Sequence, residues 1–259
     1  MSDPAGRYHR SMQFFDSRTT RAALPFDRLI ATLRERFAGG SEVPPRHVHE
    51  ITSPAGEGAG DLASRRMTSL IMPAWLPGKY YGVKIVNIVP GNAKRGLPGL
   101  HSSYLLFDAR TGVPLAQIDG DEITQRRTAA ASALAASYLA RTDAKHLLVV
   151  GAGRVAQLLP AAYRAVRPIE RVTVWARRPG EAQAMAAQVR EAGLPAFAST
   201  DLAAACSEAD IVSCATLSNE PLVRGTWLAP GSHLDLIGGF TPAMREADDA
   251  CFEGARLFV

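Results

Sequence analysis

Leu147-Leu148-Val149-Val150-Gly151-Ala152-Gly153-Arg154-Val155-Ala156 is an apolar run that opens into a glycine turn and then a stretch able to form helix. About twenty residues on, where a dinucleotide fold places its next strand, comes Val172-Thr173-Val174-Trp175 followed by Ala176-Arg177-Arg178. Continuous apolar strands, rather than alternating ones, belong to a parallel sheet covered on both faces. The spacing Gly-x-Gly-x-x-Ala in that setting predicts a dinucleotide site. Gly151 allows the tight turn, Gly153 lets backbone approach a pyrophosphate, and Ala156 keeps helix and strand close. Unpaired N–H groups at the start of the helix, expected over 154–166, would face the phosphates. The expected cofactor contacts are Gly151, Ala152, Gly153, Arg154, Val155 and Ala156.

An NAD site needs a carboxylate at the end of the second strand to accept the ribose hydroxyls. Arg177 and Arg178 stand there instead, and a guanidinium can grip a 2′-phosphate with two parallel hydrogen bonds. NADP (as NADPH) is therefore expected, with NAD possible. Arg178 reads equally well as a solvated side chain at a helix start. Ala215 and Thr216, after the fourth strand, are expected to line the nicotinamide ribose.

Around this core the chain changes texture near residue 125. Residues 1–125 read as an α+β domain with a mainly antiparallel sheet. They show a helix near 26–37, a turn-rich segment over 39–60, and strands at 67–72, 81–89, 103–108 and 114–118. Thr111-Gly112 supplies a hairpin turn. Residues 126–259 read as an α/β domain. Its alanine-rich helix over 124–141 leads into strands near 146–150, 171–175, 195–198, 209–214, 232–237 and 255–259. Helices are expected at 180–192, 201–207 and briefly after Pro242.

At 259 residues, 47% hydrophobic and 21% charged, the chain has material for one large core or two modest ones. No window is apolar enough to span a bilayer, and Met1 to Asp16 is polar, so a cytoplasmic protein is expected. The net charge of +4 is carried by scattered arginines, without the aromatic-interleaved stripe that nucleic acid would require. An anionic small molecule is the expected partner. Cys206, Cys214 and Cys251 lack metal-ligand spacing and read as buried free thiols. His47-x-His49 has no third ligand nearby, so no metal is expected.

Further segments need an account: Pro44-Pro45-Arg46, Met72-Pro73-Ala74-Trp75, Tyr81-Gly82-Val83-Lys84, Pro90-Gly91-Asn92, Arg126-Arg127-Thr128-Ala129-Ala130 and Gly238-Gly239-Phe240-Thr241-Pro242. In this order around Gly151–Ala156, they resemble the ornithine cyclodeaminase/mu-crystallin family over essentially the whole chain. The resemblance implies a substrate domain that also forms a homodimer, beside a Rossmann domain. It implies that Arg46, Lys84 and Arg127 bind the substrate carboxylate, with Lys84 the catalytic candidate. Ornithine cyclodeaminases carry a glutamate where Leu70 stands and a catalytic aspartate where Phe240 stands. Losing both leaves a carboxylate clamp and a hydride donor.

Segments such as Ala209–Thr216, His233–Phe240 and Met244–Asp248 resemble more closely the ketimine reductases of the family. The resemblance then implies reduction of a small anionic cyclic imino acid, Δ1-pyrroline-2-carboxylate or Δ1-piperideine-2-carboxylate. Cyclodeaminase or alanine dehydrogenase activity, or ligand binding without catalysis, are the alternatives. A buried strand at 255–259 with nothing to cover it carries the expectation of a chain cut short at its C-terminal side.

Overall fold

The computed structural model describes residues 11–53, 66–239 and 241–259, which fall into two compact units. The first takes the described residues up to Pro25 together with Glu35–Thr124. The second takes Phe26–Arg34 and Gln125–Val259. Phe240 and the part of the expected turn-rich segment over 54–60 lie outside the described residues.

The first unit is a six-stranded sheet. Its elements are β1 (Gln13–Phe15), α1 (Ser17–Ala23), β2 (His47–Thr52), β3 (Arg66–Leu76), β4 (Tyr80–Ile88), β5 (Leu100–Asp108) and β6 (Pro114–Asp119). The strand order is β1-β6-β5-β4-β3-β2, antiparallel throughout except for the parallel pair β1–β6. The β5–β6 hairpin turns where expected: Gly112 takes φ 72°, and the Asp108 carboxylate accepts from the N–H groups of Arg110 (2.8 Å) and Thr111 (2.9 Å). Along β4 the buried positions alternate, so Gly82, Lys84 and Val86 share one face.

Two helices cross the boundary between the units. α2 (Phe26–Gly39) places Phe26 and Ile30 in the core of the second unit, so those residues group away from their sequence neighbours. α3 (Gly120–Leu139) begins in the first unit and continues in the second, where Ala129, Ala130, Ala133 and Ala136 are fully buried. Small side chains on that stripe let the helix lie close against the core.

The second unit continues with β7 (His146–Val150), α4 (Leu159–Arg164), β8 (Arg171–Trp175), α5 (Pro179–Glu191), β9 (Ala196–Ala198), α6 (Leu202–Glu208), β10 (Ile211–Cys214) and β11 (His233–Leu236). All its strands are parallel, in the order β11-β10-β7-β8-β9. This is the doubly wound Rossmann arrangement, with its reversal between β7 and β10. Leu147, Leu148, Val149 and Val150 are completely buried, as their unbroken apolar run requires.

Three expectations need correction. Ala255–Val259 forms no strand: it joins neither sheet of the described residues, and Leu257 and Phe258 are exposed. The segment after Pro242 is a turn rather than a helix. The helix expected over 154–166 is shorter and broken: a 3₁₀ turn, Ala156–Leu158, precedes the six-residue α4. Pro160 has no N–H to give the Ala156 carbonyl, which accepts instead from Leu159, so the first turn tightens.

Candidate functional site

In an open parallel sheet ligands bind at the strand C-termini where the order reverses. Here that point joins the ends of β7 and β10. Gly151 has φ 118°, its N–H bonds the Trp175 carbonyl at 2.8 Å, and a Cβ there would lie 2.6 Å from the Ala215 carbonyl oxygen. Only glycine fits. Gly153 is the opposite case, because a Cβ there would meet nothing within 4 Å. Its bare backbone therefore borders open space beside the switch point, which fits a phosphate-bearing ligand. Ala156 is fully buried, whereas Arg154 is exposed. With α4 so short, any grip on phosphate rests on the backbone of the glycine turn rather than on a long helix dipole.

Arg177 and Arg178 follow β8 after Ala176 and are both exposed; Arg178 caps α5 and pairs with Glu181 in its first turn. Ala215 and Thr216 follow β10. Thr216 donates its N–H (2.6 Å) and its hydroxyl (2.7 Å) to Glu246, a carboxylate only 3% exposed. The Cys206 and Cys214 thiols sit in the core, where burial pushes Cys206 up to about 12 and Cys214 well above the ordinary thiol range, which disfavours the nucleophilic thiolate.

In the first unit Lys84 is buried on β4, and its ammonium donates to the Thr124 hydroxyl at 3.4 Å. Burial of an ammonium demands partners. Ser102 lies at 3.4 Å from the same hydroxyl and donates to Asp121 at 2.8 Å. Lys84 stands opposite Met72 on one side and Tyr104 on the other. The Tyr104 ring covers Gly82, where a Cβ would run into its hydroxyl, and burial raises the Tyr104 phenol above its ordinary range. That ring is why the residue two before Lys84 is glycine. Leu70, opposite Val86, shares the face of Lys84. The position where cyclodeaminases carry an acid is therefore apolar and diagonal to Lys84 on the same face.

Arg46 precedes β2, and its neighbour His47 pairs with Ile71. Arg46 is thus level with Met72, two strands from Lys84, or about 10 Å at ordinary strand spacing. Arg46 and Arg127 are both exposed. Arg126 is instead buried, with its guanidinium 4.4 Å from the Phe26 ring centroid. Of that arginine pair, 126 holds α3 to α2 and 127 faces outward. Tyr104, Thr124, Ser102, Asp121 and Glu246 were not among the expected site residues. Gly82 and Gly238 were the available signals, since each is a glycine that makes room for one of them.

The family model described as the ornithine cyclodeaminase/mu-crystallin family matches residues 29–259. The chain belongs to this family. Within it, the chain is 44% identical over 226 residues to a Δ1-pyrroline-2-carboxylate reductase of Paracoccus denitrificans, covering 87% of this chain and 69% of that protein. Among solved structures it resembles the Thermococcus litoralis Δ1-pyrroline-2-carboxylate reductase in complex with NADH and L-proline. The TM-score is 0.75 at 30% identity, covering 92% of this chain and 72% of that one. An archaeal alanine dehydrogenase dimer with bound NAD superposes with TM-score 0.81 at 27% identity, covering 95% and 73%. No helix among the described residues is long and apolar enough to cross a membrane.

Proposed function

We propose that this protein reduces a cyclic ketimine, Δ1-pyrroline-2-carboxylate or Δ1-piperideine-2-carboxylate, to L-proline or L-pipecolate with NADPH. It is an oxidoreductase acting on carbon–nitrogen bonds. The observation that carries the reading is that the buried Lys84 and the apolar Leu70 share one sheet face. That face can hold a carboxylate and protonate an imine, but it lacks the acid that cyclodeaminases carry there. The likeness to two Δ1-pyrroline-2-carboxylate reductases supports it.

Arg46, Lys84 and Arg127 hold the substrate carboxylate, and orientation by paired cations contributes more than acid–base power. Lys84 also supplies the proton at the ring nitrogen, making C2 of the iminium electrophilic. When bound, the reduced nicotinamide supplies the hydride that adds to C2, and C=N becomes CH–NH. The glycine turn Gly151–Ala156 receives the pyrophosphate, Ala215 and Thr216 border the nicotinamide ribose, and Arg177 takes the 2′-phosphate with help from Arg154 and Arg178. The protein works as a homodimer, in line with the dimeric alanine dehydrogenase it resembles.

The test follows oxidation of NADPH and of NADH with each ketimine, using the parent and Arg46→Ala. Turnover with NADPH that falls in the variant mainly through a raised KM is expected. The same structural likeness gives a second reading, oxidative deamination of a free amino acid with NAD. Turnover of alanine with NAD, and none of either ketimine, would replace the first reading with the second.

A further inference from the structure

We propose that Glu246 is a positioning residue for the nicotinamide half of the dinucleotide site, an inference that rests on the cofactor reading above. Its carboxylate ties together the segments that leave β10 and β11. One oxygen accepts from the Thr216 N–H (2.6 Å) and hydroxyl (2.7 Å); the other accepts from the Gly238 N–H (2.7 Å). All three donors are neutral, and the side chain is 3% exposed. A carboxylate stays in such surroundings only if its lone pairs are met by well-placed donors.

The backbone is shaped around this group. A Cβ on Gly238 would lie 2.5 Å from Glu246 Oε1 and would press on the Thr216 carbonyl. The Thr216 methyl in turn lies 3.3 Å from where a Cβ on Gly151 would be. The carboxylate, Gly238, Thr216 and Gly151 thus form one packed series along the C-terminal edge of the sheet. The main chain of Glu246 is itself anchored, its carbonyl accepting from Leu222 (2.9 Å) and Val223 (3.0 Å).

Two consequences follow. Thr216 cannot offer its hydroxyl proton or its N–H to a ligand, because both go to Glu246. Its part in the site is to set the path of the chain after β10. Because β10 and β11 belong to the half of the fold that receives the nicotinamide nucleotide, and β7 and β8 to the adenosine half, the effect of Glu246 is one-sided.

The experiment uses Glu246→Gln in the full chain and measures binding by titration calorimetry, apart from turnover. Glutamine keeps the volume but turns an N–H donor toward one of the three donors. Affinity for NADPH is expected to fall roughly tenfold or more. Affinity for adenosine 2′,5′-bisphosphate, which reaches only the adenosine half, is expected to change by less than about twofold. Thr216→Val removes one donor at constant shape and should move NADPH binding in the same direction by a smaller factor. It decides alone if the glutamine variant does not fold. Equal weakening of both ligands would mean a general loosening of the domain, and unchanged NADPH binding would mean that the carboxylate serves folding only; either overturns the proposal. A parent protein that binds no nicotinamide dinucleotide refutes the cofactor reading itself, a distinguishable failure.

Discussion

Gly151 and Gly153 stand two residues apart in one turn and answer to different constraints. Gly151 is held at φ 118° with the Ala215 carbonyl 2.6 Å from any added Cβ, so Gly151→Ala should cost about 1–3 kcal/mol in chemical denaturation. Gly153 has open space around it. Gly153→Ala should leave the thermal midpoint within about 2 °C yet weaken NADPH binding roughly tenfold, because the methyl stands where the pyrophosphate would approach the main chain. A variant that loses stability and binding together would place Gly153 in the structural class of Gly151. Arg177 gives a second test. Arg177→Asp exchanges a phosphate-binding cation for a ribose-binding acid, so the ratio of Kd for NADPH to that for NADH should reverse in favour of NADH. An unchanged ratio would show that Arg177 makes no 2′-phosphate contact.

Elements were legible in the sequence where the pattern was local. The alternation in β4, the apolar runs of β7 and β8, and the alanine stripe of α3 each report their surroundings within a few residues. β1 was not legible, because three residues carry no period and the parallel partner β6 lies about a hundred positions away in sequence. The strand expected at 255–259 failed for a related reason: apolar composition alone does not supply a neighbour with which to pair. In the site, Lys84 and the glycine turn announce themselves by type and spacing. Glu246 and Tyr104 do not, since their roles exist only once distant strand ends come together.

Asp210 shows the same dependence at the opposite end of the second unit's sheet. It accepts from the N–H groups of Lys145 (2.8 Å) and His146 (2.9 Å) and pairs with Arg141. Burial raises its carboxyl, but those amides and Arg141 outweigh burial and hold it below the usual carboxylate range. Asp210→Ala should destabilise the protein by about 1–3 kcal/mol in urea unfolding. A loss below about 0.5 kcal/mol would mean that water replaces the carboxylate at no cost.

For the molecule as a whole, the buried His146 and the half-buried His233 of the second unit are expected to govern its stability toward mild acid. His146 is held below its ordinary value by burial first and then by the Arg171 charge, against an opposing hydrogen bond to the Glu208 carbonyl. His233 is lowered by burial first and by Arg167, against the attraction of Asp235. In the native protein both rings therefore stay neutral at a pH where the unfolded chain has protonated them. Above about 6.5, the unfolded value, neither state carries the extra proton and the histidines add no pH dependence. As pH falls below that value, the unfolded chain takes up protons first and stability declines, until the folded pKa values are passed. The lowered carboxyl of Asp210 acts in a separate window, where stability is lost only as pH falls below the usual carboxylate range. The thermal midpoint should therefore drop as pH falls from about 6.5 toward 5, with a slope reporting up to two protons. His146→Asn/His233→Asn should have a lower midpoint at neutral pH, because packing and the Thr173 hydrogen bond are lost, yet a flatter profile across the same interval. A double variant that keeps the parent's slope would locate the acid sensitivity outside these rings.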